Sequence, residues 1–85
     1  MKKNEKIKSM INTCNTSKSM IERQIFERFN VIERYCDYAK ERISNGIVDD
    51  CYINTIEFEI ELIKRHYNRY KTEEEKIQQL EALNK

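Results

Sequence analysis

The chain has 85 residues, of which 16 are basic and 15 acidic, so its formal net charge is only +1. That balance argues against a protein that binds nucleic acid through bulk positive charge. One glycine and no proline disfavour an all-β fold, because such folds use both residues in their many turns. A chain of this length is expected to form a single domain, residues 1–85, with a small core that association often supports.

The composition also predicts a location. The sequence has no apolar run of about 18 residues, which a membrane-spanning helix requires, and no secretory signal at its basic N-terminus. Three cysteines without paired spacing fit a reducing compartment better than a disulfide framework. Twelve isoleucines against three leucines are typical of AT-rich coding sequence. We therefore expect a cytoplasmic protein that meets no membrane, encoded by a low-GC bacterium or its phage.

Residues 1–18 are predicted to form a short basic helix followed by a loop. They carry a net charge of +4, and the polar stretch 15–18 is predicted to end the helix. One narrow apolar face has the i, i+3, i+4, i+7 spacing of a helix: Ile7, Met10, Ile11 and Cys14.

A long second helix is predicted over residues 19–45. Ser19 and Glu22 have the spacing of a capping box, which predicts its start. Asn45-Gly46 is the strongest stop signal in the chain, because glycine readily adopts the left-handed conformation that ends helices. The apolar stripe of this helix advances by steps of three and four: Ile21, Ile25, Phe29, Ile32, Cys36, Ala39 and Ile43.

A third helix is predicted over residues 49–84, with Asp49 or Asp50 as its cap. Thr72 and Glu75 repeat the capping-box spacing, so a kink near residue 71 is possible. The densest apolar stripe of the chain is a heptad pattern in this segment: Ile53, Ile56, Ile60, Ile63, Tyr67 and Tyr70.

Residues 56–62 also fit a half-buried strand, because apolar and acidic residues alternate there. Helix is favoured, since the seven-residue period continues to Tyr70 and the flanking dipeptides lack the glycine that tight hairpin turns prefer. The predicted fold is therefore all-α: an antiparallel helical hairpin with a short N-terminal helix, a small bundle completed by self-association.

The third helix carries a second apolar stripe, nearly opposite the first. One antiparallel partner helix is unable to cover both stripes. The N-terminal helix, a second copy of the chain or a target protein must cover the other. We predict that this second stripe binds a partner protein: Cys51, Thr55, Phe58 and Leu62.

No catalytic, cofactor or metal site is predicted. The three cysteines and His66 would make a zinc-type set, but they lie 15 to 22 residues apart and not in the close pairs that structural zinc sites use. Glu57 and Glu61 lack the Glu three residues before a His that helical di-iron proteins require, and they are expected to be solvated surface.

The favoured function is a non-enzymatic protein-interaction module, a small regulator or inhibitor that binds another protein and forms homo-oligomers. The alternative is a small nucleic-acid-binding regulator, because basic residues and tyrosines alternate near residues 64–71. The candidate contacts for an anionic partner are Lys64, Arg65, Arg69 and Lys76. A third possibility is a helical scaffold that acts only as an oligomer.

Overall fold

The chain folds into two long helices. A computed structural model describes residues 2–84, with side chains from residue 3; Met1 and Lys85, at the ends of the predicted domain, lie outside this range. Helix α1 covers Lys2–Ser44, helix α2 covers Cys51–Leu83, and residues 45–50 connect them. The all-α prediction is confirmed, and residues 56–62 lie within α2, so the strand interpretation is wrong.

The prediction of a separate N-terminal helix, ended by a loop at residues 15–18, is wrong. Helix α1 runs without interruption through residues 15–18, and Ser19 lies in its interior. The hydroxyls of Thr13 and Thr16 donate to the carbonyls of Ser9 and Asn12, four residues back, at 3.1 and 3.0 Å. These side chains therefore bond within the helix without ending it.

An unbroken apolar register holds the N-terminal part of α1 in line with the rest. Ile7, Cys14 and Ile21 are spaced by seven residues, and all three are buried. Seven residues are close to two helical turns, so one face passes straight through the polar stretch.

Helix α2 continues past the predicted kink site. Lys71 and Thr72 are helical, and the helix ends only at Leu83. The Thr72 hydroxyl donates to the Asn68 carbonyl at 3.0 Å, so it does not cap a new helix. The capping-box spacing at residues 72–75 therefore marks no new helix start, because the residues before it are already helical.

The connection between the helices is built as predicted. Gly46 has φ +76°, and its N–H donates to the Ile43 carbonyl at 3.0 Å. The Ile47 N–H donates to the Arg42 carbonyl at 2.9 Å, which completes a Schellman motif. Asp50 is the N-cap residue of α2 and its side chain makes no capping bond, whereas Oδ1 of Asp49 accepts from the Cys51 N–H at 3.2 Å.

The two helices lie side by side, and their paired residues run in opposite order along the chain. Lys18 pairs with Glu74, and Arg28 with Glu59. Ile21, Ile25 and Ile63 form the buried cluster between them, with Ile32 and Tyr70 packed against it.

The covered face of α2 differs from the predicted seam by one residue at every other position. It advances by steps of four and three: Tyr52, Ile56, Glu59, Ile63, His66, Tyr70, Glu73, Ile77 and Leu80. Ile53, Ile60 and Tyr67, predicted to be core, are exposed. Both sets fit the helical period, so only the position of α1 decides between them.

The molecule is a rod. Its Cα extents are 68 × 14 × 13 Å, and its radius of gyration is 19.4 Å. A compact domain of 85 residues has a radius of gyration of about 12 Å. A rod of two helices offers each helix only one neighbour, so much of each helix surface meets solvent.

Candidate interaction surfaces

The predicted partner stripe is only partly exposed. Phe58 is 63% exposed, and Cys51 is also exposed. Thr55 and Leu62 are half-buried. We call these four residues the Phe58 surface. The N-terminal part of α1 does not cover it, because Lys18 and Cys14 lie beside Glu74 and Glu73 near the other end of α2.

Two of the predicted basic residues are paired with carboxylates of the same helix. Lys64 donates to Glu61 at 3.2 Å, and Lys76 donates to Glu73 at 3.4 Å. Arg69 lies 3.5 Å from a ring nitrogen of His66. Two of the four candidate cations thus face a carboxylate one helical turn away, and this lowers their pull on a distant phosphate.

A charged pair lies in the contact between the helices, and the sequence analysis missed it. Nη1 of Arg28 donates to both carboxylate oxygens of Glu59, at 3.2 and 3.1 Å. The side chain of Glu59 is 9% exposed, whereas that of Arg28 is 40% exposed. The carboxylate is therefore almost enclosed, and the guanidinium reaches solvent over its outer edge.

Aromatic side chains fill the contact between this pair and the loop. The rings of Tyr35, Tyr38 and Tyr52 form a triangle with centroids 5.6 to 5.9 Å apart. The Arg42 guanidinium lies 5.1 Å from the centre of the Tyr52 ring and pairs with Asp49. The nearby Asp49 carboxylate raises the pKa of Arg42, whose guanidinium is protonated at neutral pH in any case.

A second apolar surface lies beside the contact between the helices, near the connection. On each helix three residues at seven-residue spacing border the seam, so each set occupies one flank. Ile43 and Ile53 line one cavity next to the connection, together with Ile47, so the two flanks belong to the same side of the helix pair. We call this surface the loop-proximal face: Phe29, Cys36, Ile43, Ile53, Ile60 and Tyr67.

The loop-proximal face is open to solvent. Its five large apolar side chains are between 41% and 66% exposed, and Cys36 is half-buried. The sequence analysis placed all six residues in the core stripes. Their spacing was the right signal, but which residues meet the other helix of the chain was not visible in it.

The two apolar surfaces lie on opposite sides of the helix pair. Leu62, Lys76 and Leu83 share a flank of α2, because multiples of seven separate them. Lys76 and Leu83 line a cavity with Met10, which lies on the flank of α1 across the seam from Ile43. One partner is therefore unable to cover the Phe58 surface and the loop-proximal face together.

The cysteines and His66 do not converge. Cys14 is buried, Cys36 half-buried and Cys51 exposed, and residues 2–84 contain no group of three His, Cys, Asp or Glu side chains that could hold a metal ion. Burial raises the pKa of the Cys14 thiol, and the Glu73 carboxylate raises it further, while Lys76 partly offsets this.

Comparisons with known proteins give no family. No protein-family model matches the chain, and no curated protein or solved structure matches it significantly. Over the described residues, neither helix carries an apolar stretch long enough to cross a membrane. The surfaces of the chain are therefore the guide to its function.

Proposed function

We propose that this chain is a non-enzymatic protein-interaction module: a helical hairpin that associates with itself and binds another protein, as a small regulator or inhibitor. One observation carries the proposal. Large apolar side chains lie exposed on two opposite sides of the rod, and only five apolar residues are buried among those that the structure describes. Exposed apolar patches on small soluble proteins mark surfaces that meet other proteins.

The Phe58 surface is the proposed site for the other protein. Phe58 combines high exposure with two half-buried neighbours, Thr55 and Leu62, that form a shoulder beside it. Burying a phenylalanine side chain contributes about 1.5–3 kcal/mol, which is typical of a residue that anchors an interface.

Capture from extracts of the native host tests this proposal. The wild-type chain and Phe58→Lys, each carrying an affinity tag, are compared with Val48→Lys as the matched control. Val48 is 87% exposed and lies in the connection, so its substitution removes an apolar side chain elsewhere. We expect one protein that co-purifies with the wild type and the control but is lost with Phe58→Lys. Equal capture by all three, or capture of nothing, contradicts the proposal.

Nucleic-acid binding through Arg65 and Arg69 is the weaker candidate. The pairing of Lys64 and Lys76 with carboxylates on the same helix argues against a strong positive field. Titration of DNA and RNA at two salt concentrations separates the candidates, because phosphate contacts weaken steeply with salt. Tight binding that Arg65→Glu with Arg69→Glu abolishes would favour the nucleic-acid function.

A further inference from the structure

We propose that the loop-proximal face is covered by the same face of a second copy of this chain, so that two hairpins form a four-helix bundle. This inference rests on the proposed self-association and assigns it to a surface. The observations that carry it are the heptad positions of the exposed residues, the surface area of the single chain, and the side on which the apolar stripes of the sequence point.

The heptad positions come first. In the conventional a–g labels, the seam of this chain uses a and d on both helices: Ile25 and Ile56 stand at a, and Arg28 and Glu59 at d. The residues of the loop-proximal face then stand at e on both helices. Two helices that pack only against each other need apolar residues at a and d, whereas helices in a bundle need a third apolar position, e or g.

The direction of the apolar stripes agrees. The d positions of α2 in this region are Tyr52, Glu59 and His66, whereas the a and e positions are isoleucines except for one tyrosine in each set. The middle of the apolar stripe therefore points between the other helix and the loop-proximal face. A second hairpin on that face would place the stripe at the centre of four helices. The set it would enclose is Ile25, Phe29, Ile32, Cys36, Ala39, Ile43, Ile53, Ile56, Ile60, Ile63, Tyr67 and Tyr70.

The area requirement is met. The chain exposes 6828 Å². A compact monomer of 10.4 kDa exposes about 5,400 Å², so the excess is about 1,400 Å². A stable protein interface buries about 800 Å² on each partner, and obligate homodimers bury more. One chain therefore carries enough surplus surface to form one dimer interface.

The occupant is a second copy and not a foreign helix because the face is matched to itself. It carries no charged side chain among its six residues, so two copies meet without like-charge repulsion. Further from the connection the same two flanks become polar, with Glu22 on α1 and Glu74 and Glu81 on α2. A two-fold axis perpendicular to the rods, through the middle of the apolar segments, keeps these carboxylates outside the contact.

Sedimentation analysis of the wild type, Ile60→Glu and Phe58→Glu tests the inference. Phe58→Glu is the matched control, because Phe58 is an equally apolar exposed residue of α2 outside the loop-proximal face. We expect the wild type to sediment as two chains at micromolar concentration. Ile60→Glu should weaken the association about a hundredfold or more while circular dichroism stays helical, since it places a charge in an apolar contact. Phe58→Glu should associate as the wild type does.

Each other result counts against the inference. A wild type that sediments as one chain overturns both the inference and the proposed self-association. Association that survives Ile60→Glu leaves self-association standing but removes it from this face. Loss of association in Phe58→Glu alone would assign it to the Phe58 surface. None of these three sedimentation results changes the outcome of the capture experiment, which compares the wild type with Phe58→Lys and tests the binding of another protein separately.

Pulse alkylation of the unmodified chain tests the inference without any substitution. Cys36 lies in the loop-proximal face, and Cys51 lies outside it. As protein concentration rises, the rate of Cys36 labelling should fall about tenfold or more, because the second copy shields it, while that of Cys51 stays constant. Cys36 labelling that is independent of concentration contradicts the inference, as does selective shielding of Cys51.

Discussion

The Arg28–Glu59 pair divides the molecule into two halves that are built differently. The terminal half, residues 2–27 and 60–84, contains every apolar residue that is buried within the described part of the chain: Ile7, Cys14, Ile21, Ile25 and Ile63. The loop half, residues 29–58, buries none, and its contact between the helices combines tyrosines and charged groups with half-buried apolar side chains.

This difference indicates where the two helices of one chain are sufficient to form a packed contact. In the terminal half the seam contains the buried apolar residues, and toward the chain ends the flanks carry Asn15, Glu22, Glu74 and Glu81, as expected for two helices that pack only against each other. In the loop half the seam alternates apolar residues with tyrosines and charged groups, and one flank is apolar. That flank continues into the terminal half at Ile60 and Tyr67. We therefore expect the loop half, and not the terminal half, to pack against helices of a second chain, as in the proposed four-helix bundle.

The largest effect is expected from the seam of the terminal half. Ile21 is 3% exposed and packs in the cluster with Ile25 and Ile63. Ile21→Ala should lower the free energy of unfolding by about 2–5 kcal/mol, because a buried isoleucine leaves a cavity. Denaturant unfolding followed by circular dichroism measures this, and the loss should be the same at every protein concentration.

Ile43→Ala is the matched substitution in the loop half, at a residue that is 66% exposed. In dilute protein it should cost less than about 0.5 kcal/mol, as exposed substitutions generally do. If the loop half is covered by a second chain, the loss should grow with protein concentration. A large loss in dilute protein would break the distinction between the halves.

An effect smaller than that of Ile21→Ala is expected at the Arg28–Glu59 pair, which separates the halves. Arg28→Ala should cost about 2–3 kcal/mol, because it leaves the almost enclosed Glu59 carboxylate without a partner, and the exposed edge of the pair moderates the loss. Glu59→Ala should cost only about 1 kcal/mol, since the Arg28 side chain turns to water. Adding Glu59→Gln to Arg28→Ala should restore part of the stability. Equal losses from the two single variants would show that the carboxylate is not enclosed.

The smallest effect concerns Cys14 in the terminal half. Burial and Glu73 raise the pKa of its thiol in the native state, so the folded chain keeps the proton where the unfolded chain has lost it. The free energy of unfolding should therefore fall as pH rises through the alkaline range in which unfolded thiols ionise. Cys14→Ala removes this term, so the difference in stability between wild type and variant should shrink with rising pH. A constant difference would mean that the thiol ionises as freely folded as unfolded.

Local chemistry made several features predictable from the sequence. The heptad spacing predicted helix over residues 56–62, and Gly46 ended α1 where the sequence placed the stop. These features depend on groups within a turn or two of one another, so neighbouring residues decide them. The break predicted at residues 15–18 was wrong. Polar residues without glycine or proline are compatible with a helix, and the apolar residues on both sides of this stretch pack against α2.

The helical class, the site of the turn and the choice of residues for apolar faces could therefore be predicted from the sequence alone. Only the tertiary structure decided which of those residues meet the other helix. Ile60 and Glu59 are neighbours on α2, and either fits the helical period; the structure encloses Glu59 with Arg28 and leaves Ile60 on the surface. A period of 3.5 residues identifies a face about a third of the helix wide. Where within that width the partner lies depends on contacts between residues 31 positions apart, as in the Arg28–Glu59 pair, and no local pattern encodes them.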